Sequence, residues 1–175
     1  MPEKKYSLEQ FAYRKQAPAD VITNIVINSV VAVVGLWGLG TVDVVPQPPP
    51  YGSFKQSLFG TLFPMVIILT MITTIMGIRV TVKKRIAGQV APPLEPGVRW
   101  FKFALQTALL RAFAAFGFIS MFGLIIHYAW PTATISVPLA TVVVAAVAAV
   151  LAYIQSAAAV LRTREIGSAS RGTHG

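Results

Sequence analysis

The sequence predicts an all-α integral membrane protein, a four-helix bundle of two transmembrane hairpins with both termini in the cytoplasm. Hydrophobic residues make up 55% of the 175 positions and charged residues only 12%, which is too little polar material to cover a soluble globule of this length. Four apolar runs are each long enough for the roughly 20 residues that a spanning helix needs. Most of the 15 Lys and Arg residues lie in segments that an even number of crossings places on one side.

The N-terminal segment, residues 1–20, is a basic tail ahead of the first apolar run. Ser7 and Gln10 have the spacing of a capping box, and apolar residues follow at helical intervals. Two interpretations stay open, a short interfacial helix or a basic tail without fixed structure. The run near 21–41 is predicted to be a mature helix rather than a signal peptide, because its lead is long and no small-x-small cleavage site follows it.

The other spans are separated by proline-containing connections. The predicted segments are the spans 57–79, 109–130 and 136–161, the basic connection 80–108 and the C-terminal tail 162–175. Between the last two spans, Pro131 stops one helix, while Ser136 and Pro138 resemble the N-cap and first turn of the next. These signals predict two crossings within one long uncharged stretch.

Basic residues set the predicted orientation. They concentrate in the two tails and the central connection, whereas the opposite loops contain only Lys55. Since Lys and Arg are in excess on the cytoplasmic side, both termini and the connection are predicted to be cytoplasmic. The formal charge of +9 does not predict a nucleic acid partner, because no basic stripe is interleaved with aromatic residues.

The scarcity of Cys, His and intramembrane carboxylates argues against several kinds of chemistry. The chain contains no Cys, which excludes iron–sulfur clusters and thiolate metal sites, and only two His. Apart from Asp20 at the mouth of the first span, no carboxylate lies in a span. No enzymatic activity, metal site or cofactor is therefore predicted. His127 is interpreted as an interfacial residue, with a role as an axial pigment ligand as the alternative.

Small residues predict close helix packing, because lipid gives little hydrophobic drive for helix association. The predicted packing residues are Gly35, Gly38, Gly117, Ser120, Gly123, Ala145, Ala149 and Ala152. Their use is predicted to be internal, with self-association or docking onto another membrane subunit as the alternative.

Polar side chains within the spans fall at similar depth near the cytoplasmic side. They are Asn24, Asn28, Arg111 and Gln155. One interpretation is a hydrogen-bonded seam in which Arg111 extends to the membrane surface. The other is a polar vestibule that binds an anionic lipid head group or a small anion. We prefer the seam.

Three stretches, NIVINSVVA, LFGTLFPMVIILTMITTIMGIRVTVKKRIAGQVAPPL and ALLRAFAAF, resemble an uncharacterised group of small bacterial inner-membrane proteins. The residues on the pattern are Asn28, Gly60, Thr61, Pro64, Gly88, Pro93 and Arg111. The resemblance covers roughly residues 20–120, and the fourth helix departs from it in being richer in Ala and Val. It implies four helices in a bacterial cytoplasmic membrane and adds no activity.

The expected function is that of a non-enzymatic accessory or structural subunit that docks into a larger membrane assembly of photosynthetic or respiratory type. One alternative is a small oligomeric permease or channel. Another is a lipid- or pigment-binding membrane protein anchored by Arg111 or His127. The expected partners are membrane lipids and other membrane subunits or a second copy of the chain.

Overall fold

A computed structural model describes residues 6–46 and 57–169 of the chain. Its helical elements are α1 (Leu8–Phe11), a π-helical segment (Ala12–Gln16), α2 (Ala17–Gly35), α3 (Leu58–Ile86), α4 (Phe101–Ala129), α5 (Val137–Arg162) and α6 (Arg164–Ala169). Its short strands are β1 (Tyr6–Ser7), β2 (Thr41–Asp43), β3 (Val90–Ala91) and β4 (Thr134–Ser136). Lys55 and the end of the predicted C-terminal tail lie outside the described residues.

Within the described residues, four helices are long and apolar enough to cross a membrane. They are Leu8–Gly35, Leu58–Ile86, Phe101–Ala129 and Val137–Ile166, with 28 to 30 residues each. At about 1.5 Å per residue, each exceeds the roughly 30 Å of a bilayer's hydrocarbon core. The predicted helical class and the number of candidate spans are thus confirmed, and the chain has the character of a multi-pass membrane protein.

The first helix begins earlier than the apolar run. Ser7 forms the capping box with Gln10: the N–H of Gln10 donates to Ser7 Oγ at 3.1 Å, and the N–H of Ser7 donates to Gln10 Oε1 at 3.3 Å. From there the helix runs without interruption to Gly35. It ends before the predicted position near 41 because Gly38 adopts φ +83°, and the chain then becomes extended.

The other boundaries differ where the chain is basic. The third long helix begins at Phe101 rather than 109, and the second ends at Ile86 rather than 79. At the end of α3, Lys83, Lys84 and Arg85 are good helix formers, so the helix continues beyond its apolar part into the connection. Gly88, at φ +73°, then turns the chain away from α3.

The long helices form a row in the order α2, α5, α3, α4. The two predicted hairpins are therefore wrong as packing units, because α2 packs chiefly on α5 and α4 chiefly on α3. The alanine-rich α5 accepts a helix on each side. The short strands β2 and β4 pair in antiparallel register, with Val42 opposite Ile135, and this pairing places the start of α5 beside the end of α2. Of the most apolar stretch in each helix, 56% is buried in α3 but only 11% in α4, which lies at the edge of the row.

One end of the row gathers most of the charge, and we call it the basic end. Here β1 pairs with β3, and Arg164 forms an ion pair with Glu9 at 2.7 Å. The Lys and Arg residues at or near this end are Arg14, Lys15, Arg79, Lys83, Lys84, Arg85, Arg99, Lys102, Arg162 and Arg164. The helix ends that meet there are the starts of α1 and α4 and the ends of α3 and α5.

Two of the predicted small residues are buried where helices meet. A Cβ at Gly123 would lie 3.1 Å from the ring of Phe59, so this glycine admits the phenylalanine between α4 and α3. Ala152 is fully buried on α5, while Ala145 and Ala149 are half-buried. Another close helix approach lies at a glycine that was not predicted, because a Cβ at Gly77 would come within 3.1 Å of Ala159 Cβ.

For internal packing, the prediction is wrong at Gly35, Gly38 and Gly117. A Cβ at any of them would meet open space within 4 Å. The reason for Gly117 is geometric: residues three apart on an α-helix differ by about 60° in direction, so a stripe with this spacing winds around the helix. Gly123 at one end of the stripe therefore faces α3, while Gly117 is exposed. Ser120, between them, is half-buried.

Candidate functional site

The predicted pair Arg111 and Gln155 is in contact. Arg111 Nη1 donates to Gln155 Oε1 at 3.3 Å and to Gln155 O at 3.4 Å. Gln155 is 9% exposed and Arg111 half-buried. The arginine extends from α4 past α3, so this contact joins two helices that otherwise pack little against each other.

Ser156, the residue after Gln155 on α5, connects α5 to α2. Ser156 is fully buried, and its Oγ donates to Asp20 Oδ2 of α2 at 2.5 Å. Gln16 Nε2 donates to the same carboxylate at 3.0 and 3.2 Å. Consecutive residues on a helix point about 100° apart, which lets Gln155 face α4 while Ser156 faces α2. We call Asp20, Arg111, Gln155 and Ser156 the polar layer.

The two asparagines bond to their own helix. Asn24 Nδ2 donates to Asp20 O at 2.7 Å, and Asn28 Nδ2 donates to Asn24 O at 2.8 Å. Asn28 is 7% exposed and Asn24 half-buried. These amide groups are thus satisfied by carbonyls four residues earlier, as a polar side chain inside a helix requires.

A signal in the sequence could have found Asp20. Gln16, Asp20, Asn24 and Asn28 recur every fourth residue, which places them on one face of the first helix. That face turns toward α5, because Ala17, Asn28 and Ala32 are its buried residues. Hydropathy instead assigned Asp20 to the mouth of the span, and its connection to Ser156 was missed.

Arg85 is the largest residue that sequence reasoning misplaced. It belongs to the predicted basic connection 80–108, yet it is only 1% exposed. Its Nε donates to Pro92 O at 2.7 Å, and its Nη1 donates to Thr163 O. One side chain therefore holds the connection after α3 and the end of α5 together. The helical period gives the signal, since Ile78, Val82 and Arg85 fall on the same buried face of α3.

Buried threonines on α3 differ in whether their hydroxyls are bonded. Thr81 Oγ1 donates to Gly77 O at 2.7 Å, and Thr73 Oγ1 donates to Leu69 O. Among the residues that the structure describes, no partner lies within reach of the buried Thr70 and Thr74 hydroxyls. The hydroxyls of Thr70 and Thr74 therefore add buried polar groups to the middle of α3.

His127 lies at the other end of the row from the basic residues. Its ring is 5.8 Å from that of Tyr128, and within 6–46 and 57–169 its buried Nδ1 has no hydrogen-bond partner. The backbone of Asp43 pairs with that of Thr134 in the small sheet, and no ion pair joins Asp43 to His127 in the same ranges. In the described part of the chain, no group of three or more His, Asp or Glu side chains lies close enough to hold a metal.

Comparisons of the chain with models of protein families, with curated proteins and with solved structures give no match. The class of the protein therefore rests on its own geometry, a row of four helices with the length and hydropathy of membrane spans and one polar layer across three of them. The resemblance to small bacterial inner-membrane proteins stays a prediction.

Proposed function

We propose that the protein is a non-enzymatic accessory subunit of a bacterial cytoplasmic membrane that docks sideways onto another membrane protein, in an assembly of photosynthetic or respiratory type. Both termini lie in the cytoplasm in this proposal. The orientation is supported by the basic end, where the described parts of both tails meet the connection between α3 and α4.

The observation that carries the proposal is the outer face of α4. Ala114 and Gly117 are exposed there, one turn apart, beside the exposed rings of Phe113 and Phe118. Small residues give a partner helix close access to the backbone, and the neighbouring rings add contact area. We call the surface over Ala114 and Gly117 the notch. A partner helix that packs into the notch gains van der Waals contact with the backbone of α4. Because α4 is at the edge of the row, a partner reaches this face without disturbing the fold.

The polar layer is assigned a structural role in this proposal. Each of its side chains bonds to another part of the chain: Arg111 to Gln155, and Ser156 to Asp20. A hydrogen-bonded seam of this kind holds α4 and α2 to α5. A permease would instead need an open path lined by such groups.

Native mass spectrometry after purification in a gentle detergent tests the docking proposal. Replacing Gly117 with Leu fills the notch on α4, where a side chain meets no atom of the chain within 4 Å. We expect a hetero-assembly of fixed stoichiometry from the native membrane, and its loss by at least tenfold in the Gly117→Leu variant. Gly35→Leu is the matched control, because Gly35 is equally unobstructed but lies on α2.

Three results would refute the proposal. A wild-type chain that is monomeric in the gentle detergent has no partner to dock onto. A symmetric oligomer of this chain alone favours the channel alternative instead. Equal loss of the assembly in both glycine variants places the interface elsewhere.

A further inference from the structure

A cleft of about 340 Å³ lies at the basic end, between the first turns of the N-terminal helix and the end of α3. Its polar lining comes from Lys15, Gln16, Lys84 and Gln89. Its apolar lining includes the rings of Tyr6 and Phe11. It adjoins the polar layer through Gln16, which donates to Asp20, and it is separate from the outer face of α4.

Both lysines are held at the cleft by aromatic rings. Lys15 Nζ lies 5.7 Å from the centroid of the Tyr6 ring, and Lys84 Nζ lies 5.8 Å from that of Phe11. At such distances the electron-rich face of a ring attracts an ammonium group. Lys84 Nζ also donates to Gln89 Oε1 at 3.2 Å. The two flexible side chains are thus positioned before any ligand arrives.

Within residues 6–46 and 57–169, no carboxylate forms an ion pair with either cleft lysine. The ion pairs in the described ranges join Arg162 to Glu165 and Arg164 to Glu9, and neither involves a cleft lysine. The carboxylate of Asp20 accepts hydrogen bonds from Gln16, which also lines the cleft. Two positive charges beside one cleft repel each other, and an anion between them relieves that repulsion.

The walls of the cleft are fixed by the fold. Phe11 and Val90 are 4% and 1% exposed, and the parallel pairing of β1 with β3 sets Tyr6 opposite Val90. The N–H of Tyr6 donates to Gln89 O at 3.0 Å. Lys15 and Gln16 belong to the π-helical segment Ala12–Gln16, a distortion that recurs at functional sites.

We propose that this cleft binds a phosphate group, carried either by an anionic lipid head group or by a soluble phosphate compound. Lysines bind phosphate groups as point charges. The rings and the side chain of Val90 suit the carbon atoms next to that phosphate. The position at the basic end matches the depth at which basic residues meet lipid head groups.

The test uses the full chain in a neutral detergent and two probes. Inorganic phosphate is titrated by calorimetry, and retention of dioleoylphosphatidylglycerol against dioleoylphosphatidylcholine is measured by native mass spectrometry. Each lysine near a negative surface contributes about fivefold in affinity. We therefore expect the Lys15→Gln, Lys84→Gln double variant to bind the anionic probe about thirtyfold more weakly.

The matched control is the Lys83→Gln, Lys102→Gln double variant. It removes the same charge from exposed positions outside the cleft lining, and it should lose less than threefold. The single variant Lys15→Gln, at an exposed position, should lose about fivefold and guards against misfolding of the cleft double variant.

The two probes distinguish the sources of the phosphate. Saturable binding of inorganic phosphate identifies a soluble ligand, and retention of the anionic lipid without phosphate binding identifies a head group. Failure of the wild-type chain to bind either probe overturns the proposal. Equal losses in the two double variants overturn it as well, because diffuse surface charge then explains the binding. Neither failure touches the docking role of α4, which involves other residues.

Discussion

Replacing Arg85 with Met removes the guanidinium and keeps most of the volume of its stem. The side chain is 1% exposed, and it donates to Pro92 O and Thr163 O. Pro92 is exposed, so its carbonyl regains a water molecule, but Thr163 is 0% exposed and its carbonyl loses a donor that water does not replace. Hydrogen bonds to charged groups contribute about 1.5–3 kcal/mol each, and a buried unpaired acceptor costs about 1–3 kcal/mol.

We expect the Arg85→Met variant to lose about 2–4 kcal/mol of unfolding free energy. The assay is equilibrium unfolding in mixed micelles with a rising fraction of denaturing detergent, followed by circular dichroism. Arg79→Met is the control, because Arg79 lies on the same helix, carries the same charge and is exposed. It should change the free energy by less than about 0.5 kcal/mol.

Equal stabilities of the Arg85→Met and Arg79→Met variants would refute this reasoning. They would mean that the free energy of removing the Arg85 cation from water cancels the gain from its two hydrogen bonds, a balance known for buried charges. Greater stability of Arg85→Met would show that desolvation prevails. In either case Arg85 would not stabilise the junction of the connection after α3 with α5.

Two further perturbations probe the row itself. Gly77→Ala should destabilise the fold by about 1–3 kcal/mol in the same unfolding assay, because the added Cβ would lie 3.1 Å from Ala159 Cβ. In the control variant Gly117→Ala the added Cβ meets open space, so the unfolding free energy should change little. Arg111→Ala and Gln155→Ala, combined in a double-mutant cycle, should show a coupling of about 0.6 kcal/mol with unchanged lipid co-purification. Lost lipid with unchanged stability would instead identify Arg111 as a head-group site.

The number and character of the long helices could be predicted because they depend on local composition. An apolar run of sufficient length is visible in any window, and so are the proline and serine signals that separate α4 from α5. The order of the helices could not be predicted this way. It depends on which faces of α5 accept neighbours, and alanines occur nearly all around that helix.

The polar layer was predicted in part, for a related reason. Arg111 and Gln155 were assigned to one depth, and the long arginine side chain reaches past α3 to the glutamine on α5. The asparagines were assigned to the same depth, but their amides bond to carbonyls of their own helix instead. Depth follows from counting residues along a span, whereas the choice between a local carbonyl and a distant partner depends on geometry that one helix alone does not contain.

The basic residues at the end of α3 show why a count of charges understates what they do. Lys83 is exposed, Lys84 lines the cleft and Arg85 is buried, although they are consecutive in the chain. Neighbouring residues on a helix point about 100° apart, so three in a row face three surroundings. All three add to the positive charge of the basic end. Of these three residues, only Arg85 should affect stability strongly and only Lys84 should affect phosphate binding. Substitutions at these adjacent positions therefore separate two effects, although the three residues form one basic run in the sequence.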